Sequence, residues 1–179
     1  MNTGLSPSAR DLFGPGQAVA IRDLLQSLFT AEMLSPSRRL WLLFGWISDV
    51  EILDNRGRQF APLNPDWSSN WIRLHAVLEA LVERGGNLAL VLKDVEHNYA
   101  FVSKMQSLRK AYPGRIKIRL DSDVHEKGIL GDDFVLSGSM NLTYNGIAVK
   151  SEHVTLRTDA PSVEEWRIVI EEKWGRLLE

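Results

Sequence analysis

The sequence predicts an α/β fold, a mixed β-sheet sandwiched between helices. Three observations carry this. Short apolar runs such as 39–46, RLWLLFGW, and 87–92 read as strands buried on both faces. Segments with helical spacing alternate with them. Gly85-Gly86 and Pro113-Gly114 punctuate the boundaries. The chain has 179 residues, 44% of them hydrophobic, which fits one domain with a sizeable core.

Residues 1–15 are rich in Ser, Pro and Gly and are expected to form a loose arm, with 16–179 as the single domain. From 17 to 33, Val19, Ile21, Leu24, Leu25, Leu28 and Phe29 follow helical spacing, and Ser35-Pro36-Ser37 ends that helix. The strand at 39–46 follows. Residues 47–53 extend it or turn into a short helix, and 54–58 is a polar turn. Asp66 or Ser68 is placed to cap the next helix, whose apolar face includes Trp71, Ile72, Leu74, Val77, Leu78 and Leu81. Gly85-Gly86 stops it. A second buried strand spans 87–92, a helix 96–112 and a strand 116–120. A hairpin, a loop through Asn145-Gly146 and a strand near 153–157 follow. Pro161 opens the last helix, which buries Val163, Trp166, Ile170, Trp174 and Leu177.

Composition narrows the function. The net charge of −2 argues against a generally basic nucleic-acid binder, so any such contact is local. Cysteine is absent, which excludes disulfides and thiolate metal sites and fits a reducing cytoplasm, the expected location. No apolar run is long enough to span a membrane, and the first residues lack the order of a signal peptide. No two histidines combine metal-ligand spacing with a carboxylate, so neither metal nor other cofactor is expected. His75 and His97 lie in helix contexts and read as surface or core groups. Trp67, beside two serines, is a candidate for stacking on a base.

The chemistry concentrates in 125–141, HEKGILGDDFVLSGSMN. His125 and Lys127 are two apart and share a strand face, as do Ser139 and Asn141. Gly131-Asp132-Asp133 is turn chemistry between the apolar runs 129–130 and 134–136. Folding this hairpin gathers an imidazole, an ammonium, a hydroxyl and an amide, which is an anion site carrying a nucleophile.

The pattern resembles the phospholipase D superfamily motif: His-x-Lys, four residues, Asp, six residues, Gly-Ser-x-Asn. His125, Lys127 and Asp132 keep the spacing, but only five residues separate Asp132 from Gly138. A one-residue change inside a strand would turn its side chains to the wrong face, so the shortening belongs in the turn. Asp132 or Asp133 then fills the motif position. Such a set meets by chance in a chain this size with a probability on the order of 10⁻⁵. The similarity continues through Thr143, Asn145-Gly146 and Glu152, although Lys150 stands where the family often has Asn.

The resemblance implies roles. A neutral His125 attacks phosphorus and forms a phosphohistidine. A second imidazole protonates the leaving oxygen and then activates water. The chain has one motif and no internal repeat, so the second histidine comes from another copy, in a two-fold homodimer with facing hairpins. The plain alternative for His125 is a partly buried strand histidine. Lys127 holds the non-bridging oxygens, and Ser139 and Asn141 donate to them; their plain alternatives are a solvated lysine and turn caps. Gly138 lets the backbone pass close to the phosphate. Glu152 matches the carboxylate that accepts from the far nitrogen of the histidine and fixes its tautomer; alternatively it is a surface glutamate. Asp132 or Asp133 is structural, bonding turn backbone. His153 adjoins Glu152 and faces the other way, off the site. Arg56 and Arg58, in a loop, are weaker substrate-binding candidates, a solvated turn being the alternative.

The function implied is a metal-independent phosphodiesterase, a nuclease acting on DNA or RNA, since small single-motif members are mostly nucleases. The chain is also similar to the phospholipase-D-like proteins of bacterial DNA-modification and phage-defence gene clusters, which implies other cluster proteins as partners. Two rivals stand beside this: a phospholipid phosphodiesterase or transferase, and a catalytically silent nucleic-acid-binding dimer.

Overall fold

The computed structural model describes residues 9–13, 16–149 and 151–178. In chain order its elements are β1 (Ala9–Phe13), α1 (Ala18–Leu34), β2 (Leu40–Phe44), β3 (Glu51–Asp54), β4 (Trp71–Arg73), α2 (Leu74–Glu83) and β5 (Leu88–Lys93). Then come α3 (Glu96–Ala111), β6 (Ile116–Asp121), β7 (Gly128–Leu130), β8 (Val135–Gly138), β9 (His153–Arg157) and α4 (Ala160–Trp174). A turn of π-helix, Asn145–Val149, precedes β9.

Seven strands form one mixed sheet in the order β1-β9-β8-β7-β2-β5-β6. β2, β5 and β6 run parallel, with α2 and α3 in the crossovers. β7, β8, β9 and β1 are antiparallel, and β7 joins the two halves by pairing antiparallel with β2. One face packs Leu42, Phe44, Leu90 and Leu92 against Phe29 of α1, Val77 of α2 and Met105 of α3. The other packs Trp41, Leu43 and Val91 against Val163, Ile170 and Trp174 of α4. Burial on both faces is why β2 and β5 are continuous apolar runs.

Four expectations change. Residues 9–13, inside the expected arm, form β1 at the sheet edge, because Ala9–Phe13 satisfies the open hydrogen bonds of β9. The rest of that segment, 1–8 and 14–15, lies outside the described residues. Residues 47–53 neither extend β2 nor form a helix; 51–54 pair with β4 in a separate two-stranded sheet. The second helix starts at Leu74, not near Asp66 or Ser68. Its early N–H groups are met from afar, as His75 N–H donates to Asp49 Oδ1 at 3.0 Å and Leu74 N–H to Val50 O at 2.8 Å. Trp71 and Ile72 are therefore free to serve as strand, and Trp71 lies beneath the Arg22 and Arg56 guanidinium groups. Finally, Trp67 is buried, which removes it as a base-stacking surface. In α4, Val163, Ile170 and Trp174 are buried as expected, Trp166 is partly so, and the Leu177 side chain lies outside the described residues. Among the described residues no helix is long and apolar enough to cross a membrane.

Candidate active site

The β7–β8 hairpin is regular from Leu130↔Val135 to Gly128↔Ser137. Its turn is closed by Gly131 N–H donating to Phe134 O at 3.0 Å. The short motif spacing therefore sits in the turn, where side-chain facing is undisturbed. His125 and Lys127 lie on an extended lead-in just before β7 rather than within the strand. Gly138 N–H reaches Lys127 O at 3.3 Å, so pairing runs one step past the strand.

Glu126 fixes this lead-in. Its carboxylate accepts from the His125 backbone N–H at 3.1 Å and from Lys173 Nζ on α4. Burial pushes the Glu126 carboxyl up, but the Lys173 hydrogen bond, the local backbone donors and the Lys173 charge outweigh it and leave it below the usual value. Lys127 Nζ donates to His125 O at 3.2 Å. The His125 side chain is exposed, and among the described residues neither ring nitrogen has a hydrogen-bond partner.

The opposite wall is built where β8 leaves β9. Gly138 has φ +155°, and a Cβ there would stand 2.0 Å from His153 O. A demand for glycine therefore already comes from the approach of the β9 backbone. Ser139 N–H donates to His153 O at 2.9 Å, and His153 N–H donates to Ser139 Oγ at 3.0 Å. Ser139 Oγ in turn donates to Glu152 Oε2. Asn141 Oδ1 accepts from Trp46 N–H at 3.0 Å, and Ser48 N–H donates to Leu142 O at 2.9 Å. These bonds stitch the loop after β2 to the loop after β8. Fully buried Asn98 braces the first loop, accepting from Ile47 N–H at 2.9 Å and donating to Gly45 O at 2.9 Å and Lys93 O at 2.7 Å.

Asn141 and Glu152 line a cleft of about 570 Å³ together with Trp46, His97, Tyr144 and Asn145. Lys127 O accepts from Gly138 N–H, the next residue Ser139 donates its hydroxyl to Glu152, and Lys127 Nζ donates back to His125 O. The expected His125–Glu152 bond is not made in this structure; Glu152 takes the Ser139 hydroxyl instead. Asp132 holds structure, but its carboxylate does not bond turn backbone. It accepts from Arg38 N–H at 2.9 Å and Arg38 Nε at 3.2 Å, and lies 3.5 Å from Arg167 of α4. Arg56 is occupied by Asp54 at 2.7 Å, and Arg58 donates to Trp67 O at 2.6 Å and Pro65 O at 3.2 Å, so both guanidinium groups are spent on their own loop. His153 turns to β1, with Nε2 at 3.3 Å from Asp11 Oδ1. The Asp11 carboxyl is lowered by hydrogen bonds from Thr155 and His153.

Sequence reasoning missed two cleft residues. Trp46 ends an apolar run and so reads as core, yet it is 47% exposed. His97 looks like any helix histidine, yet its Nε2 lies 2.9 Å from Ser48 Oγ and its ring 6.2 Å from that of Trp46. Among the described residues no group of three or more His, Asp or Glu side chains is placed to hold a metal ion.

The same architecture recurs in solved structures. Nuc from Salmonella typhimurium, a phospholipase D family member, superposes with a TM-score of 0.61 at 19% identity, covering 95% of this chain and 95% of that one. This is the phospholipase D fold. NucT from Helicobacter pylori shares it, with a TM-score of 0.59, 14% identity and coverage of 92% and 93%. TrmBL2, an archaeal chromatin protein described as showing a novel mode of DNA binding, matches with a TM-score of 0.54 at 16% identity; 97% of this chain spans 55% of that one. No family model matches the chain, and neither does any curated protein. The pairing of β7, β8 and β9 puts His125, Lys127, Ser139 and Glu152 at the strand ends on one side of the sheet, with Asp132 at the opposite end of the hairpin.

Proposed function

We propose that this chain is a metal-independent phosphodiesterase that cleaves DNA or RNA as a homodimer. The observation that supports this is an exposed His125, whose ring has no hydrogen-bond partner among the described residues, on the lead-in to β7 beside Lys127, with the Ser139–Glu152 pair at the ends of the paired strands β8 and β9. One His125 ring nitrogen bonds to phosphorus as the phosphorus–oxygen bond to the leaving group breaks. The partner subunit's His125 gives that oxygen its proton. Water then attacks phosphorus, the nitrogen–phosphorus bond breaks, and the water's proton passes to the partner subunit's His125. Lys127 and the Asn141 amide hold the non-bridging oxygens. Glu152, steadied by Ser139, lies in the cleft wall as the carboxylate to stabilise an imidazolium once the dimer closes on substrate. The setting that goes with this reading is bacterial DNA modification or phage defence.

The test is cleavage of single- and double-stranded DNA and RNA in excess EDTA, with His125→Ala beside the wild type. Cleavage in EDTA that disappears in the variant supports the reading. Equal cleavage by both proteins defeats it. A silent nucleic-acid-binding dimer is the second reading, favoured by the Ser139 hydroxyl occupying Glu152. Tight binding of nucleic acid by the wild type with no turnover would point there.

A further inference from the structure

The cleft that Asn141 and Glu152 line is also aromatic. Trp46 is 47% exposed and Tyr144 65% exposed, and both line the cleft with His97. Exposed aromatic rings grouped on the wall of one cleft mark a surface for a ligand. The Trp46 and His97 rings are 6.2 Å apart and tilted by 42°. That leaves an open platform rather than a cage around a cation. The platform is held in place from both sides. The Trp46 amide is bonded to Asn141 Oδ1 at 3.0 Å, and His97 Nε2 is bonded to Ser48 Oγ at 2.9 Å. The Trp46–Asn141 bond sets the aromatic surface one side chain away from the predicted phosphate contacts. A nucleotide has the same layout, a phosphate at one end and a flat base at the other.

We infer that Trp46, with His97 and Tyr144, stacks the unpaired base next to the scissile phosphate, so that the substrate is single-stranded or locally unpaired nucleic acid. This rests on the phosphodiesterase reading above. A base inside a duplex has no free face to offer such a platform, whereas a single strand stacks on aromatic side chains with little regard to sequence.

The experiment is a double cycle in EDTA. The proteins are wild type, Trp46→Ala and Trp46→Phe. The substrates are a short single-stranded DNA oligonucleotide, its duplex, and the same strand with an abasic residue beside the mapped cleavage site. Expected is a KM about tenfold higher for Trp46→Ala on the single strand, largely restored in Trp46→Phe. Removing the base should cost the wild type a similar factor and cost Trp46→Ala nothing more. Thermal unfolding of all three proteins checks that the fold is kept. Full, additive penalties in Trp46→Ala, an unchanged KM, or equal cleavage of duplex and single strand would overturn the stacking inference and leave the phosphodiesterase reading intact. A wild type that cleaves no nucleic acid, or that hydrolyses phosphatidylcholine vesicles instead, would overturn both.

Discussion

Two of the histidine-bearing regions among the described residues, the Asp49–His75 pair and the motif end at His125, differ in what they leave free. At Asp49 the carboxylate is saturated: His75 N–H at 3.0 Å, His75 Nδ1 at 2.7 Å and Lys104 Nζ at 2.7 Å all converge on it. Burial raises the Asp49 carboxyl, but the His75 and Lys104 hydrogen bonds and charges more than offset this and leave it lowered. At the motif end, His125 is exposed with no ring partner among the described residues, and Glu152 carries one hydroxyl. A tight set of charges thus marks a structural clamp, joining α2 and α3 to the loop after β2. The loosely held set is what the proposed phosphodiesterase site requires, an imidazole and a carboxylate with capacity to spare. Perturbed carboxylates do not separate the two regions, since Glu126 beside His125 is lowered as Asp49 is.

The largest effect expected is at His125. His125→Ala should cut phosphodiester cleavage by on the order of 10³-fold or more, with an unfolding temperature unchanged because the ring is exposed and unpaired. A large loss of stability in this variant would erase the contrast with Asp49. Ser139→Ala comes next. It removes the donor to Glu152 and the acceptor of His153 N–H. A fall in kcat of roughly 10–100-fold, with KM little changed, is expected if Ser139 steadies Glu152 for catalysis. A rise in KM alone would make it a ground-state contact instead.

The two regions were also unequally legible in the sequence. The motif end could be read because its members are close in the chain and the hairpin between them is local, although His125, Lys127, Ser139 and Asn141 all lie just outside the strands whose alternation was used to face them. The buried strands β2 and β5 were plain for a similar reason, since burial on both faces leaves no period to misread. The Asp49 clamp was illegible, because Asp49 reaches the start of α2 across 26 residues and no local cap marks the spot. That same capping from afar released Trp71–Arg73 to pair as β4, where spacing alone predicted helix. His97 and Trp46 became cleft residues only when two loops were stitched together by Asn141 and Leu142. Glu126 follows the same logic, reading as a filler between His125 and Lys127 until α4 supplies Lys173.

Asp49→Asn tests the clamp. Removing the charge shared by His75 and Lys104 should cost about 2 kcal/mol, or roughly 4–8 °C in Tm at neutral pH. Cleavage per folded molecule should be unchanged. The sign with pH is fixed by the lowered carboxyl: its stabilisation is complete above the ordinary carboxylate range and is lost as pH falls through the lowered value. The gap in Tm between wild type and variant should therefore close in acid, and a gap that widens there would contradict the assignment. Unfolding followed by circular dichroism across pH gives the answer.

The smallest effects separate Asp132 from Asp133, either of which fits the shortened motif. Asp132 ties the hairpin turn to Arg38, before β2, and to Arg167 of α4. Arg167 also donates to Gly131 O at 2.9 Å and Asp132 O at 3.1 Å, so the turn is held from two sides and survives the loss of one carboxylate. Asp132→Asn should therefore cost only about 1 kcal/mol and leave kcat in place. Asp133 is exposed, and its removal should shift stability by no more than about 0.5 kcal/mol. The order matters more than the size: a turn pinned to β2 and α4 sets the height at which β7 presents His125. If Asp133→Ala proved the costlier change, the register of the hairpin against β2 would have to be set by some other contact than the Asp132–Arg38 pair.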